Sequence, residues 1–312
     1  MTSPANLTRP TPSGTINCCK PNNAPLPITD PSNPNIQRWP SLGLTLVHNF
    51  ISPSEEAVMI SAFHAIDPRK EGKKRISQHF GYHFDYTTFG ASTTHFTPVP
   101  SYITDWVLPR LPLQARKDVP DQFTVQYYPP GSGIPPHVDT HSMFGEALYS
   151  LSFGSSVPMV FKMSGPNDAR KMRLPKRSLV SSSTNSTSDS STHPETLPSE
   201  QAASTGQLSP PSQEAETQSV SQDEESWELL LPARSLLLMQ GPSRYGYTHG
   251  IRSRKTDVIN GQTVPREGRY SITMRAVRRG DEIGCDCAYP GVCDARIREE
   301  QQQQEPGAER QG

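Results

Sequence analysis

"QFTVQYYPPGSGIPPHVDTHSMF", residues 122–144, holds in order a strand, a turn and a cluster of metal-ligand residues. Within "FTVQYY", alternation puts Gln126 and Tyr128 on one face of an extended chain. Pro129, Pro130 and Gly131 then close the strand. His137, Asp139 and His141 follow at every second position. Residues two apart in an extended segment face the same way about 6.6 Å apart, so His137 and Asp139 can reach one ion. His141 lies roughly 13 Å from His137 on the same geometry and is left for something else. A His-x-Asp pair alone is weak evidence, because a chain of this length often contains one by chance.

From Gln122 onwards the chain reads as strand after strand. "ALYSLSF" (147–153), "PMVFKM" (158–163), "WELLL" (227–231), "SLLLMQG" (235–241) and "RYSITMRAV" (269–277) are short apolar runs separated by Gly, Pro and Ser. Upstream, "LTLVHNFI" (44–51) reads as a strand and is followed by a helix start. Ser52 is the N-cap, Pro53 takes the first helical position and Glu55 closes a capping box. Val58, Ala62, Phe63 and Ile66 predict that helix's apolar face. "HFGYHFDY" (79–86) alternates, placing Phe80, Tyr82, Phe84 and Tyr86 on one strand face, either to stack a nucleobase or to enter a core. "YITDWVL" (102–108) predicts a second helix ended by Pro109. Helices first and then some seven strands make a mainly β fold, a sandwich with flanking helices.

Only part of the 312 residues can build it. A hydrophobic fraction of 33% with 32 prolines is low for one globule of this length, and the deficit is local. Residues 1–40 are rich in Pro, Asn, Thr and Ser, residues 164–225 in Ser, Thr, Gln and Glu, and residues 298–312 are polar. All three are expected to be disordered, because they bury too little apolar surface to offset chain entropy. The expected domain is therefore 41–297 interrupted by an insert at 164–225, leaving roughly 200 residues for a core. No apolar run approaches membrane-spanning length and no signal pattern opens the chain, so a cytoplasmic or nuclear protein is expected. A net charge of -1 argues against a sequence-blind nucleic-acid coat, though "RKEGKKR" (69–75) and "RSRK" (252–255) remain candidate phosphate contacts or plain solvated loops.

Two further stretches bear on the metal. "GPSRYGYTHGI" (241–251) offers His249, either a loop histidine or the distal ligand of a two-His-one-carboxylate iron site. In "RYSITMRAV", Arg269, Ser271, Thr273 and Arg275 share one face, and Tyr270, Ile272, Met274 and Ala276 line the other. Inward arginines on a core strand are costly unless they meet anions. Two guanidinium groups about 20 Å apart at Cα can lean together and grip the ends of a small dicarboxylate. On an edge strand they would simply be exposed.

"VQYYPPGSGIPPHVDTHS", "LSFGS", "GPSRYGYTHGI" and "RYSITMR" together resemble the consecutive signatures of the AlkB family of Fe(II)/2-oxoglutarate dioxygenases. "RISQHFGYHFDY" resembles that family's substrate-lid region, and "CDCAYPGVCD" (285–294) is similar to the branch that hydroxylates the wobble uridine of transfer RNA. The resemblance covers essentially the whole expected domain. It implies a double-stranded β-helix (jelly-roll) and iron ligation by His137, Asp139 and His249. It also implies that Arg269, Tyr128 and Ser271 hold the distal carboxylate of 2-oxoglutarate, with Arg275 near the iron-chelating end. Gln126 stands where the family usually has Asn, so the resemblance implies a cofactor contact from the same amide on a longer arm.

Cys285, Cys287 and Cys293 form a C-x-C-x5-C cluster that needs one more ligand for a tetrahedral zinc site. His141, out of reach of the iron, is the natural fourth, as it is in the resembled branch. The implied substrate is nucleic acid, transfer RNA before others, with a modified wobble uridine hydroxylated to a stable alcohol. The alternative is oxidative demethylation of N-alkylated bases in RNA or DNA, releasing formaldehyde. A third reading is a catalytically silent binding module. Relatives join this domain to an RNA-recognition module and a methyltransferase, so a separate transfer-RNA methyltransferase is the expected partner here.

Overall fold

The computed structural model describes residues 25–66, 75–85, 90–113, 119–165 and 226–303. Its strands are β1 (Ile28–Asp30), β2 (Asn33–Trp39), β3 (Leu44–Val47), β4 (Ile76–Asp85), β5 (Gly90–Thr97), β6 (Gln122–Tyr128), β7 (Ile134–His137), β8 (Phe144–Gly154), β9 (Val157–Met163), β10 (Ser226–Leu231), β11 (Ser235–Met239), β12 (Tyr247–Ile251), β13 (Thr256–Ile259), β14 (Gln262–Pro265) and β15 (Arg269–Val277). The helices are α1 (Pro53–Ile66), α2 (Gly241–Tyr245) and α3 (Asp294–Gln303).

A nine-stranded sheet runs β1-β2-β3-β11-β8-β15-β6-β4-β5 and a four-stranded sheet runs β10-β9-β12-β7. All the pairings are antiparallel. One apolar cluster joins Leu44, Leu46, Leu148, Leu237 and Met239 of the large sheet to Met159, Phe161, Trp227, Leu229 and Tyr247 of the small one. The opposite face of the large sheet packs Phe123, Val125, Tyr270, Ile272 and Met274 against Met59 and Phe63 of α1. Helices, large sheet and small sheet thus form three layers, the jelly-roll with flanking helices that the strand pattern and the family resemblance implied.

Alternation along β6 and β15 builds the site. Phe123, Val125 and Tyr127, with Tyr270, Ile272 and Met274, enter the helix-side core, so their alternate neighbours turn to the inner face of the sandwich. β15 lies between β8 and β6, which removes the edge-strand reading of its arginines. Arg269 faces Tyr128, Ser271 faces Gln126 and Arg275 faces Gln122 across the β15–β6 ladder.

The capping box at α1 forms as expected. The Ser52 N–H donates to Glu55 Oε2 at 2.8 Å, and the Glu55 N–H donates to Ser52 Oγ at 3.2 Å. The buried face of α1 differs from expectation. Met59 and Phe63, one turn apart, are fully buried, whereas Val58 and Ile66 stay half exposed at the flanks. Residues 102–110 wind as a π-helical turn at Tyr102–Val107 and a 3-10 turn at Leu108–Arg110 rather than as one α-helix. The aromatic row of β4 also divides. Phe80 joins the helix-side core, while Phe84 and Tyr82 pack with Met143, Phe144 and Val277, and Tyr86 lies outside the described residues.

The expected disorder fails at both margins. Residues 28–39 form β1 and β2, and Trp39 is buried with its indole N–H donating to the Pro25 carbonyl at 2.9 Å. At the other end α3 continues to Gln303, past the expected boundary at 297. The insert lies outside the described residues except Ser164 and Gly165, as does "RKEGKKR" except Arg75. Among the described residues no helix is long and apolar enough to cross a membrane.

Candidate active site and a second ligand cluster

His137 ends β7 and lies directly opposite His249 of β12 in the small sheet. That pairing sets the two imidazole centroids 4.4 Å apart. Gly250 permits the approach: a Cβ there would meet the Ile134 carbonyl oxygen and the Pro136 nitrogen, each at 2.9 Å. Asp139, two residues beyond His137, completes a set whose ligand atoms all lie within 4.8 Å of one another. Asp139 Oδ2 is 3.5 Å from His249 Nε2 and 4.0 Å from His137 Nε2.

The protonation states suit a metal. His137 Nδ1 contacts the Pro135 carbonyl oxygen at 3.0 Å; a carbonyl only accepts, so Nδ1 carries the proton and Nε2 is the free lone pair. Burial, and then the nearby His249, push His137 down to about 4, so the ring is neutral near pH 7. Burial would raise Asp139, but the Arg275 charge and the hydrogen bond from His249 hold it well below the usual carboxylate range.

Arg275 is committed to this carboxylate. Its Nη2 and Nε lie 2.7 Å and 2.9 Å from Asp139 Oδ1, and Nη1 donates to Gln122 Oε1 at 3.0 Å. The arm expected near the iron-chelating end of the dicarboxylate thus meets the buried Asp139 carboxylate in this structure. Arg269 is the free arm. It is buried and donates from Nη2 to Ser152 Oγ at 2.8 Å, while Nε and Nη1 find no partner among the described residues. Burial lowers its guanidinium to about 10, which leaves it charged at neutral pH. The Tyr128 ring centroid is 5.4 Å from the Arg269 guanidinium carbon. The Tyr128 hydroxyl donates to Gln126 Oε1 and also bonds Ser271, and burial raises the phenol so that it stays protonated. Gln126 Nε2 in turn donates to Ser77 Oγ at 3.0 Å. Gln126 thus orients Tyr128 in this structure.

A buried cation with two idle donors calls for an anion. Two imidazoles and a carboxylate are the donor set of a ferrous site with open positions. These residues fit an Fe(II) ion and an acidic co-substrate.

The second cluster brings together His141, Cys285, Cys287 and Cys293, again with ligand atoms within 4.8 Å. His141 is fully buried, and its Nδ1 is 3.3 Å from Cys287 Sγ. Hydrogen bonding, from Cys293 first and also from His141, draws the Cys285 thiol down to about 3. Burial raises Cys287, with the hydrogen bond and charge of Cys285 adding to it; in Cys293 the hydrogen bond to Cys285 comes first and burial adds to it. Three sulfurs and an imidazole this close together suit a tetrahedral ion such as zinc.

The sequence patterns assign no role to three buried residues of this region. Gln122 holds Arg275. Arg244 of α2 donates to the carbonyls of Asp139 at 3.0 Å and Thr140 at 2.7 Å. Asp294 binds the loop after Asp139. The basic stretch 252–255 is largely neutralised: Arg252 and Arg254 face Glu228 at 3.4 Å and 3.7 Å, and Arg254 also pairs with Asp257.

A family profile described as the 2OG-Fe(II) oxygenase superfamily matches residues 43–275. The chain belongs to that superfamily, and within it is a 2-oxoglutarate-dependent dioxygenase of the AlkB type. It is 32% identical over 280 residues to the tRNA (carboxymethyluridine(34)-5-O)-methyltransferase alkbh8 of Xenopus tropicalis, covering 82% of this chain and 35% of that protein. It is 30% identical over 262 residues to the alkylated DNA repair protein ALKBH8 homolog of Arabidopsis thaliana, covering 81% and 63%. The alpha-ketoglutarate-dependent dioxygenase alkB homolog 4 of Mus musculus shares 26% identity over 227 residues, covering 70% and 66%. The chain therefore spans about a third of the frog relative and under two thirds of the plant one.

Proposed function

We propose that this protein hydroxylates a nucleic-acid base, and specifically the side chain of a modified wobble uridine in transfer RNA. The observation that carries the reading is the Cys3His cluster set two residues from the His137–Asp139–His249 centre. It belongs to a chain similar to a protein whose name places its substrate at uridine 34 of transfer RNA.

In this reading His137, Asp139 and His249 hold iron(II). Arg269 takes the distal carboxylate of 2-oxoglutarate through Nε and Nη1, with Tyr128 and Ser271 beside it. Bound iron with 2-oxoglutarate and oxygen supplies the oxidation of a C–H bond, and the co-substrate leaves as succinate and carbon dioxide. The chain's own work is placement. His137 stays neutral so that Nε2 is a ligand, and Arg275 leaves only Oδ2 of Asp139 facing the imidazoles. His141, Cys285, Cys287 and Cys293 hold zinc, which staples the C-terminal segment to the loop after Asp139. A transfer-RNA methyltransferase that acts on the same nucleoside would be its functional partner, and the cytoplasm or nucleus is where such a substrate is met.

Mass spectrometry of transfer-RNA nucleosides from cells with and without the protein tests this. A hydroxylated uridine derivative that disappears with the protein supports it. Formaldehyde released in step with succinate would instead indicate demethylation, the reading favoured by the plant relative's name. Retention of every nucleoside, with 2-oxoglutarate turnover insensitive to His137→Ala and Asp139→Ala, would leave a binding module.

A further inference from the structure

Three residues join the two ligand sets. Asp139 belongs to one and His141 to the other, with Thr140 between them. Asp294, fully buried and next to Cys293, faces this segment. Its Oδ1 accepts the N–H of His141 at 2.7 Å and the N–H of Ser142 at 3.0 Å. Its Oδ2 accepts the Thr140 hydroxyl at 2.9 Å and also the Ser142 hydroxyl. From the other side, Arg244 donates to the carbonyls of Asp139 and Thr140. The backbone leading out of Asp139 is thus held by a carboxylate on its N–H groups and by a guanidinium on its carbonyls.

We propose that Asp294 is a positioning residue for the iron centre: by fixing Thr140–Ser142 it sets the aim of the Asp139 carboxylate. The proposal rests on the reading of His137, Asp139 and His249 as the iron ligands. One carboxylate accepting four hydrogen bonds uses its whole acceptor capacity on three consecutive residues, more than tethering a C-terminal helix requires. Its burial without a fully buried countercharge is tolerable only because those four donors are in place. Arg298, a turn along α3, reaches it only at 3.7 Å. A shift of this backbone would move Asp139 Oδ2 relative to both imidazoles, and ligand geometry of this kind is what outer partners govern.

The test uses the full chain purified with its zinc and titrated with Mn(II) in the presence of 2-oxoglutarate. Mn(II) lies below zinc in the stability series and so leaves the thiolate cluster occupied. Asp294→Asn keeps the shape but loses acceptors, and it should weaken Mn(II) binding by about tenfold or more while zinc per chain is retained. Thr140→Val removes one of the four bonds and should shift affinity the same way by less. Should Asp294→Asn fail to fold or shed its zinc, Thr140→Val decides: weaker Mn(II) binding with zinc retained supports the role, and unchanged affinity overturns it. Unchanged affinity in both variants, or zinc and Mn(II) lost together in both, also overturns it. His249→Ala is the control. If the unaltered protein binds no Mn(II) that this change abolishes, the iron-centre reading itself is wrong and the positioning role falls with it.

Discussion

Arg275 grips one oxygen of Asp139 through two nitrogens, at 2.7 Å and 2.9 Å, and leaves the other oxygen to His249 at 3.5 Å. The carboxylate is thereby divided, one oxygen held by the guanidinium and the other turned to the two imidazoles. Removing Arg275 alone should leave a buried charge unpaired. Arg275→Met is expected to cost about 3–5 kcal/mol of stability in urea unfolding of the metal-free protein. The double variant Asp139→Asn, Arg275→Met should lose clearly less than the sum of the two single changes. Additive losses would show that the two side chains do not depend on one another.

Arg269 makes the opposite case. Two of its donors are idle, so the guanidinium is a burden until an anion arrives. Arg269→Met should therefore hold or raise the thermal midpoint without co-substrate. It should also abolish the rise that 2-oxoglutarate gives the unaltered protein and raise its KM by about 30-fold or more. A co-substrate KM that stays at the unaltered value would remove Arg269 from the binding site.

The sulfur cluster predicts a measurable metal content. Protein purified without chelator should carry about one zinc per chain that resists mild chelation. Cys293→Ser should lose the zinc and lower the unfolding midpoint, because Cys293 is fully buried beside Asp294 and Val292. A fully folded, zinc-free preparation of the unaltered chain would rule the site out.

His48 gives a pH signature away from both ligand clusters. It is buried against Gln37, with Nε2 and Oε1 3.0 Å apart, and burial lowers its pKa below the ordinary value of about 6.5. The unfolded chain then binds the proton first. The stability contributed by neutral His48 is present above pH 6.5 and is lost as the pH falls below it, towards the folded-state value. His48→Gln should narrow the difference in urea midpoint between pH 8 and pH 5.5. An equal difference in both proteins would refute this.

What could be read from sequence follows the strength of each local signal. β6 and β15 were legible because strict alternation has one structural solution. The start of α1 was legible because Ser52 and Glu55 satisfy each other's backbone. Its buried face was not, since Val58 and Met59 are both apolar and only the sheet beneath decides that Met59 points inward. β2 was missed because "NPNIQRW" has composition typical of coil: its buried side consists of Gln37 and Trp39, and only Trp39 is apolar. His137, Asp139 and His249 are brought together as their spacing and the family pattern suggested. Arg244 in a short helix, Gln122 at the start of β6 and Asp294 at the start of α3 act as single residues, and the signature stretches that hold Arg244 and Asp294 do not single them out.

The partnering of residue 137 with residue 249 across two adjacent strands has an evolutionary corollary. Side-chain direction in a ribbon depends on parity, so deleting a single residue between Gly133 and His137 would turn the imidazole to the opposite surface, whereas the hairpin formed by β13 and β14, paired with each other as a separate two-stranded sheet, could gain or lose residues in pairs at its tip. Length variation among descendants of this chain should accumulate at that tip and stay out of the few positions before residue 137.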